Sequence, residues 1–404
     1  MKYLAILLHF YQPPTQLPEV TRKITQTCYS PLSQLILRHP HARFTVNFNY
    51  SLTEQLVRLG HEDVIRSFSR AAGIGHIEFT ESSAYHYILP LSTREVVLDQ
   101  VKRNYLGNRL YFGEKEYRPR GVFPPEMAYS PELPPIIQEA GYEWTVADDV
   151  ALATTNTPVP YDHIITVNAL PVLLRSRRWS SRIGFSSLRE QSEHLSGEEY
   201  LNWLNSEISE WFGAKDGYII VALDAETFGH HMAGYIERFL ENLLDSLDRN
   251  HDIRLCTISD ILHLFPQRTE CNLSSCSWST SEDQLRQGDP FPLWDSPHNP
   301  IHKAHWALVQ QILQLIKKDP QRVSDPNVAQ AQYSCQFWWA NPGIFFDPSQ
   351  VIRGAIKLLE ILFALKQDCV LSEEEVCQTL DLYYILISQL QQSCTSESSR
   401  KLVA

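Results

Sequence analysis

The stretch 217–231, Gly-Tyr-Ile-Ile-Val-Ala-Leu-Asp-Ala-Glu-Thr-Phe-Gly-His-His, constrains the fold of this chain more than any other. Residues 217–222 are a continuous apolar run, the pattern of a strand buried on both faces. Such a strand needs cover on each side, which parallel strands joined by crossover helices provide. The run then ends in Asp224, Glu226, His230 and His231. An apolar strand ending in acids and imidazoles is how α/β barrels present chemistry at the C-terminal ends of their strands. If the strand continues that far, alternation puts Asp224 and Glu226 on one side of it. The simpler reading, a helix N-cap at Asp224 with surface histidines, does not need so many ionisable groups.

The rest of the first two thirds follows the same plan. Strand patterns at residues 3–8, 42–48, 76–80, 121–123, 144–147, 164–167, 217–223 and 254–258 alternate with helical patterns such as 94–105, 200–212 and 235–249. The last carries Ile236, Phe239, Leu240, Leu243, Leu244 and Leu247, a stripe for the core. This alternation argues for a parallel sheet with crossovers, open or closed. After about residue 266 the texture changes. Residues 267–300 read as a long ordered loop, and helical patterns follow at 302–317, 348–366 and 372–392 with no strand pattern and a fraying tail at 393–404. Two units follow from this: 1–266, and a loop plus helical region at 267–404.

Composition narrows the class. A net charge of −12 over 404 residues argues against nucleic acid or an anionic membrane surface as partner. No apolar run reaches the ~18 residues of a membrane span. The apolar segment at residues 4–8 is too short for a secretory leader, and His-Phe-Tyr-Gln-Pro-Pro follows it. A cytoplasmic protein with reduced, mostly buried thiols is expected from its eight cysteines, none in a C-x-x-C pair. No cofactor or metal is expected, since the spacing H-E-x-x-H is absent. Nothing in the sequence fixes an oligomeric state.

Four more segments end an apolar stretch in useful polar groups. His9 and Gln12 lie in Leu8-His-Phe-Tyr-Gln-Pro-Pro14, where His9 alone also reads as a satisfied buried histidine. Glu78 and His86 lie in the stretch 75–86, with Glu81 read as solvated charge. Glu126 follows Pro124-Pro125, which hold the backbone stiffly. Its other reading is a helix cap, a task that Ser130 before Pro131 already performs. Trp338 and Trp339 are adjacent and cannot share one helix face, so one of them is free to reach a cleft. Glu126 and Asp224 are the acids expected to do chemistry, because glycoside cleavage takes two carboxyl groups flanking the bond.

These motifs, in this order from His9 to about Trp339, resemble glycoside hydrolase family 57. The strongest match is Leu-Asp-Ala-Glu-Thr-Phe-Gly-His-His, followed by Gly-Val-Phe-Pro-Pro-Glu, Gly-His-Ile-Glu with Tyr85-His86, and His-Phe-Tyr-Gln-Pro. The resemblance implies an incomplete (β/α)7 barrel followed by a C-terminal α-helical region. It implies a retaining enzyme acting on α-1,4-glucan or malto-oligosaccharide, with Glu126 as nucleophile and Asp224 as general acid/base. It also implies Glu226 as support, His9 and Glu78 in a glucose pocket, and His86 and His230 as weaker contributors. Trp278, within Ser-Trp-Ser-Thr-Ser, and the Trp338–Trp339 pair resemble cleft-closing elements. The chain departs from the family pattern at Tyr11, where a second His is common, and at Phe123, where Trp is common. Three rivals stand beside this reading. They are a metal-dependent carbohydrate deacetylase using His9, His86, His230 and His231, a non-catalytic α-glucan-binding protein, and a helical interaction module at 300–392.

Overall fold

A computed structural model describes residues 1–155, 157–184, 195–319, 322 and 325–401, with side chains as far as 395. The chain packs as two compact units. One comprises Met1–Gln12, Gln16–Ala84 and Leu89–Trp278, and the other comprises Pro13–Thr15, Tyr85–Ile88 and the chain from Ser279 onward.

The first unit is built on strands β1 (Lys2–Phe10), β2 (Phe44–Phe48), β3 (Ile77–Thr80), β4 (Gly121–Val122), β5 (Trp144–Asp148), β6 (Ile164–Val167), β7 (Leu170–Arg175), β8 (Gly217–Asp224), β9 (Ile253–Cys256) and β10 (Arg268–Glu270). Parallel pairing runs β3-β2-β1-β8, and β9 pairs with the first half of β1. A second sheet pairs β4, β5 and β7 in parallel, with β6 antiparallel to β7 and β10 beside β6. Two thin seams join these sheets. At one, the main chain of Glu81 bridges to β4, with Glu81 N donating to Gly121 O (2.8 Å) and Phe123 N to Glu81 O (2.7 Å). At the other, Ser176 N donates to Ile220 O of β8 (2.8 Å). The parallel strands β1, β2, β3, β4, β5, β7 and β8 thus stand in a ring whose ladder is not continuous, the incomplete barrel that the resemblance implied.

Alternation explains what fills the ring. Ala5 and Leu7 of β1, Trp144 and Val146 of β5, Leu173 of β7 and Tyr218, Ile220 and Ala222 of β8 form one apolar cluster. The residues between them, such as Leu4, Ile6, Leu8, Ile219 and Val221, pack with the helices in another. Continuing the inner series by two residues gives His9 on β1, Asp148 on β5, Arg175 on β7 and Asp224 on β8. Apolar layers are therefore capped by an ionisable layer at the C-terminal strand ends.

Most sequence-derived elements stand, and several are revised. The strand β7 was not expected; Pro171 near its start obscures its pattern. The helix at 94–105 runs to Phe112, and that at 235–249 begins with a π-helical segment, Ile236–Glu241. The stretch 267–300 is not only loop: it holds β10 and a helix, Glu282–Arg286, whose Ser281 capping box fixes its start. In the second unit a short hairpin pairs Ala340–Asn341 with Phe345–Phe346 where no strand was expected. Its final helix continues to Lys401 rather than fraying at 393, and 402–404 lie outside the described residues. Of the eight cysteines only Cys28, Cys256 and Cys276 are buried, fewer than expected. Among the described residues no helix is long and apolar enough to cross a membrane.

Gly121 illustrates how tightly the ring is closed beside the seam. A Cβ there would sit 2.0 Å from the Trp144 indole. Gly121→Ala is expected to destabilise the protein by about 1–3 kcal/mol, read from chemical denaturation, because the indole is fully buried and cannot retreat. An unchanged midpoint would show that the β4–β5 contact yields.

Candidate active site

Glu126 reaches the site from a turn directly after β4. Pro124 and Pro125 direct the backbone, and Glu126 and Met127 both adopt left-handed conformations (φ 59° and 46°). Such a conformation is costly for residues other than glycine and marks a place where position outweighs comfort. Trp278 holds the result at two points. Its indole Nε1–H donates to Glu126 Oε2 (2.9 Å) and its main-chain N–H to Glu126 O (3.1 Å). Burial and the charge of Asp224 push the Glu126 carboxyl up to about 8, while the indole hydrogen bond opposes the shift.

Asp224 ends β8, in register with His9 of β1. Burial raises its carboxyl to about 6, against a lowering influence from Arg175. His9 in turn is in register with Asn47 of β2, and its Nδ1 lies 2.6 Å from Asn47 Oδ1. Burial lowers the imidazole to about 4, so His9 is neutral near pH 7. Asn47 Oδ1 accepts from the Nδ1–H tautomer. Around the ring stand Phe123 (centroids 4.7 Å apart, stacked), Tyr11 (6.1 Å, stacked) and Trp278 (6.1 Å, edge-on). Both positions where the chain departs from the family pattern therefore lie against His9.

Glu226 is buried but does not continue the inner face of the strand. The strand stops at Asp224, and a single 3-10 turn, Ala225–Thr227, carries Glu226 to Gln12 and Tyr29. Gln12 Nε2 donates to Glu226 Oε1 (3.1 Å), as does the Tyr29 hydroxyl. Burial and Asp224 push Glu226 up to about 8. It is therefore mainly uncharged near pH 7, and burial rather than Glu226 is the chief reason the Asp224 carboxyl is raised.

The other expected residues fall in different places. Glu78 lies inside the ring but two residues before Thr80, the position in register with Asn47, which is roughly 7 Å nearer the N-terminal strand ends. There it accepts from Thr45 Oγ1 (2.7 Å) and Ser259 N (3.0 Å). His230 is half-buried beside His231, and burial lowers its imidazole. His86, Trp338 and Trp339 belong to the second unit. There His86 Nδ1 lies 2.6 Å from Ser334 Oγ, and Trp338 meets Trp339 edge-on and stacks on Phe345 at 4.0 Å. Glu81 is not solvated charge: it is fully buried, held by Asn104, Tyr117 and Tyr142, and pushed up to about 7 by burial.

Four residues around the site escaped the sequence reading. Asn47 had a usable signal, since it alternates with the apolar Phe44, Val46 and Phe48 on an expected strand. Arg175 and Asp148 pair across β5 and β7, and the unrecognised β7 hid Arg175. Tyr29 lies in a π-helical segment, Thr25–Tyr29, with no local signature.

Two partly buried, electrostatically coupled carboxyl groups at the strand ends of a parallel barrel are a candidate acid–base site on an α/β scaffold. The model of glycosyl hydrolase family 57 matches residues 8–274, and the chain belongs to that family. Alpha-amylase 1 of Dictyoglomus thermophilum is 27% identical over 147 residues, a match covering 36% of this chain and 21% of that protein. The chain thus aligns with about a fifth of that relative's length. The 4-alpha-glucanotransferase of Thermococcus litoralis superposes with a TM-score of 0.67 at 17% identity, covering 88% of this chain and 59% of that one. A branching enzyme of Pyrococcus horikoshii gives a TM-score of 0.65 at 17% identity, covering 97% and 96%. These likenesses concern the fold.

The raised carboxyls also cost stability. A carboxyl raised in the folded state binds its proton more tightly than in the unfolded chain, so its contribution is intact below the unfolded value. It is lost as pH rises towards the folded value. For Glu126 that window runs from about 4.5 to about 8. Glu126→Gln is therefore expected to be more stable than the parent at pH 8, by on the order of 4 kcal/mol, with the gain vanishing at pH 4.5. Equal gains at both pH values in thermal denaturation would refute the raised carboxyl.

Proposed function

We propose that this chain is a retaining glycoside hydrolase or transglycosylase that acts on α-1,4-glucan. The observation carrying the proposal is the pair Glu126 and Asp224, both partly buried, both raised, and presented from neighbouring parts of the same strand-end layer. Membership of glycosyl hydrolase family 57 supports it, and the relatives named as amylase, glucanotransferase and branching enzyme supply the substrate class.

In the first step the Glu126 carboxylate bonds to the anomeric carbon. The glycosidic C–O bond breaks, and Asp224 gives its proton to the leaving oxygen. In the second, water or a sugar hydroxyl loses its proton to Asp224 and displaces Glu126. Water gives hydrolysis; a sugar hydroxyl gives transfer. The neutral His9 and the Gln12–Glu226–Tyr29 group offer donors and acceptors to sugar hydroxyls, and the Phe123 and Trp278 rings offer apolar faces.

Between about pH 6 and pH 8 the empty pair holds one proton, chiefly on Glu126. The mechanism needs the same number of protons in the other position. A bound glycoside favours that exchange. The glycosidic oxygen at Asp224 accepts a hydrogen bond only from the protonated acid, and positive charge growing on the anomeric carbon favours ionised Glu126.

Two measurements test the proposal. The parent and Glu126→Gln are incubated with maltoheptaose and with amylose, and products are separated by length. Shorter oligomers, lost in the variant by at least 1,000-fold, fit hydrolysis, while longer and shorter products together fit transfer (a factor on the order of 10³ or more for removing a covalent catalyst). Binding without any change in length would instead favour the glucan-binding reading. In the same assay kcat/KM is expected to follow a bell with limbs near pH 6 and pH 8, where the pair gains its second proton or loses its only one. A flat profile over this range would remove the pair from the chemistry.

A further inference from the structure

We propose that Arg175 is a positioning residue that couples the proton state of Asp224 to the placement of Glu126. The proposal rests on the functional reading above and deepens it.

The geometry is a three-way clamp. Arg175 Nη1 donates to Asp148 Oδ2 (2.5 Å), which ties β7 to β5. Its Nε donates to Ala222 O (2.8 Å), two residues before Asp224, so it bears directly on the strand that delivers the acid. The guanidinium also lies over the Trp278 ring, 5.7 Å from its centroid. Trp278 is the residue that holds Glu126 by side chain and main chain. One planar cation thus reaches the acid's strand and the nucleophile's hydrogen-bond donor at once. A lysine carries the charge but not the fork that makes these contacts together.

The charges facing this clamp come from several elements. Asp148 is fully buried and also accepts from Arg177 Nε (2.9 Å). Asp149 accepts from the Arg177 main-chain N–H (3.1 Å), and burial beside Asp148 raises it to about 7. Glu126 and Glu226 both feel Asp224, and the buried Tyr200 feels Arg175. Among these groups Arg175 is the cation that acts on Asp224. It favours the carboxylate that forms once Asp224 has given up its proton, and so limits how far burial can raise this acid.

The test is the pH profile of kcat/KM on maltoheptaose for the full chain and for Arg175→Lys, Arg175→Met and Asp148→Asn. In Arg175→Met the acid limb is expected to move up by about one pH unit, because Asp224 loses its cation, with kcat reduced on the order of 10-fold. Arg175→Lys restores the position of the limb but not the full kcat. Asp148→Asn removes the counter-charge of the guanidinium and moves the limb the other way; it also serves if Arg175→Met does not fold. A uniform fall in rate with unmoved limbs in all variants would overturn the proposal, since that is the mark of a merely structural arginine.

A second readout needs no turnover. The unfolding free energy of each protein is compared with that of its Asp224→Asn counterpart across pH 4–9. The titration midpoint of that difference reports Asp224 itself. It is expected to rise in Arg175→Met, and an unmoved midpoint would sink the coupling even if the chain turned over no glucan. Absence of turnover with a shifted midpoint would instead refute the glucan reading alone.

Discussion

Taking carboxyl groups out of water governs this structure. The inner layers of the ring are apolar, and the layer that caps them carries Asp148, Arg175, Asp224 and His9. Each ionisable group there must be paired, hydrogen-bonded or neutral. The structure uses all three solutions. Asp148 is paired with Arg175 and Arg177. Glu226 is hydrogen-bonded and raised, and His9 is lowered to neutrality against Asn47. Burial raises both Glu126 and Asp224; the Trp278 indole opposes the shift at the former and Arg175 at the latter.

Much of this was legible in the sequence because it is written in short periods. A strand such as 217–224 declares its two faces by alternation, and the polar residue that ends each inner series announces itself by breaking the apolar run. Glu126, Asp224, His9 and Gln12 were found in that way. The failures have physical reasons too. Alternation predicts nothing once a strand ends, and the placing of Glu226 beside Asp224 depended on a strand that stops at Asp224. Glu81 is charged and follows a strand, a pattern shared with ordinary surface acids; only Asn104, Tyr117 and Tyr142, distant in sequence, show that it is buried. Arg175 was invisible because its value depends on Asp148 and Ala222, brought beside it by strand pairing. Composition could not place the tryptophans: Trp278 serves Glu126, while Trp338 stacks on Phe345.

The two seams of the ring connect architecture with chemistry. A parallel ladder that ran unbroken around the barrel would fix every strand end to its neighbours at several points. Here β3 meets β4 through the main chain of Glu81 and the hydroxyls of Thr80 and Ser82, which donate to Gly121 O and Phe123 O, and β7 meets β8 through Ser176 N and the Arg175 side chain. Glu126 comes from the turn after β4, and Asp224 from the end of β8, so each acid is delivered by a strand that borders a seam. Where backbone hydrogen bonds are few, side chains determine the local geometry, and both seams carry a buried ionisable one. The Glu81 carboxyl is held by Asn104, Tyr117 and Tyr142 beside the turn that carries Glu126, and Arg175 anchors the strand of Asp224 through Ala222 O. At the two breaks in the ladder it is thus side chains, those of Thr80, Ser82 and Arg175, that add to the few backbone bonds joining the strands from which Glu126 and Asp224 come.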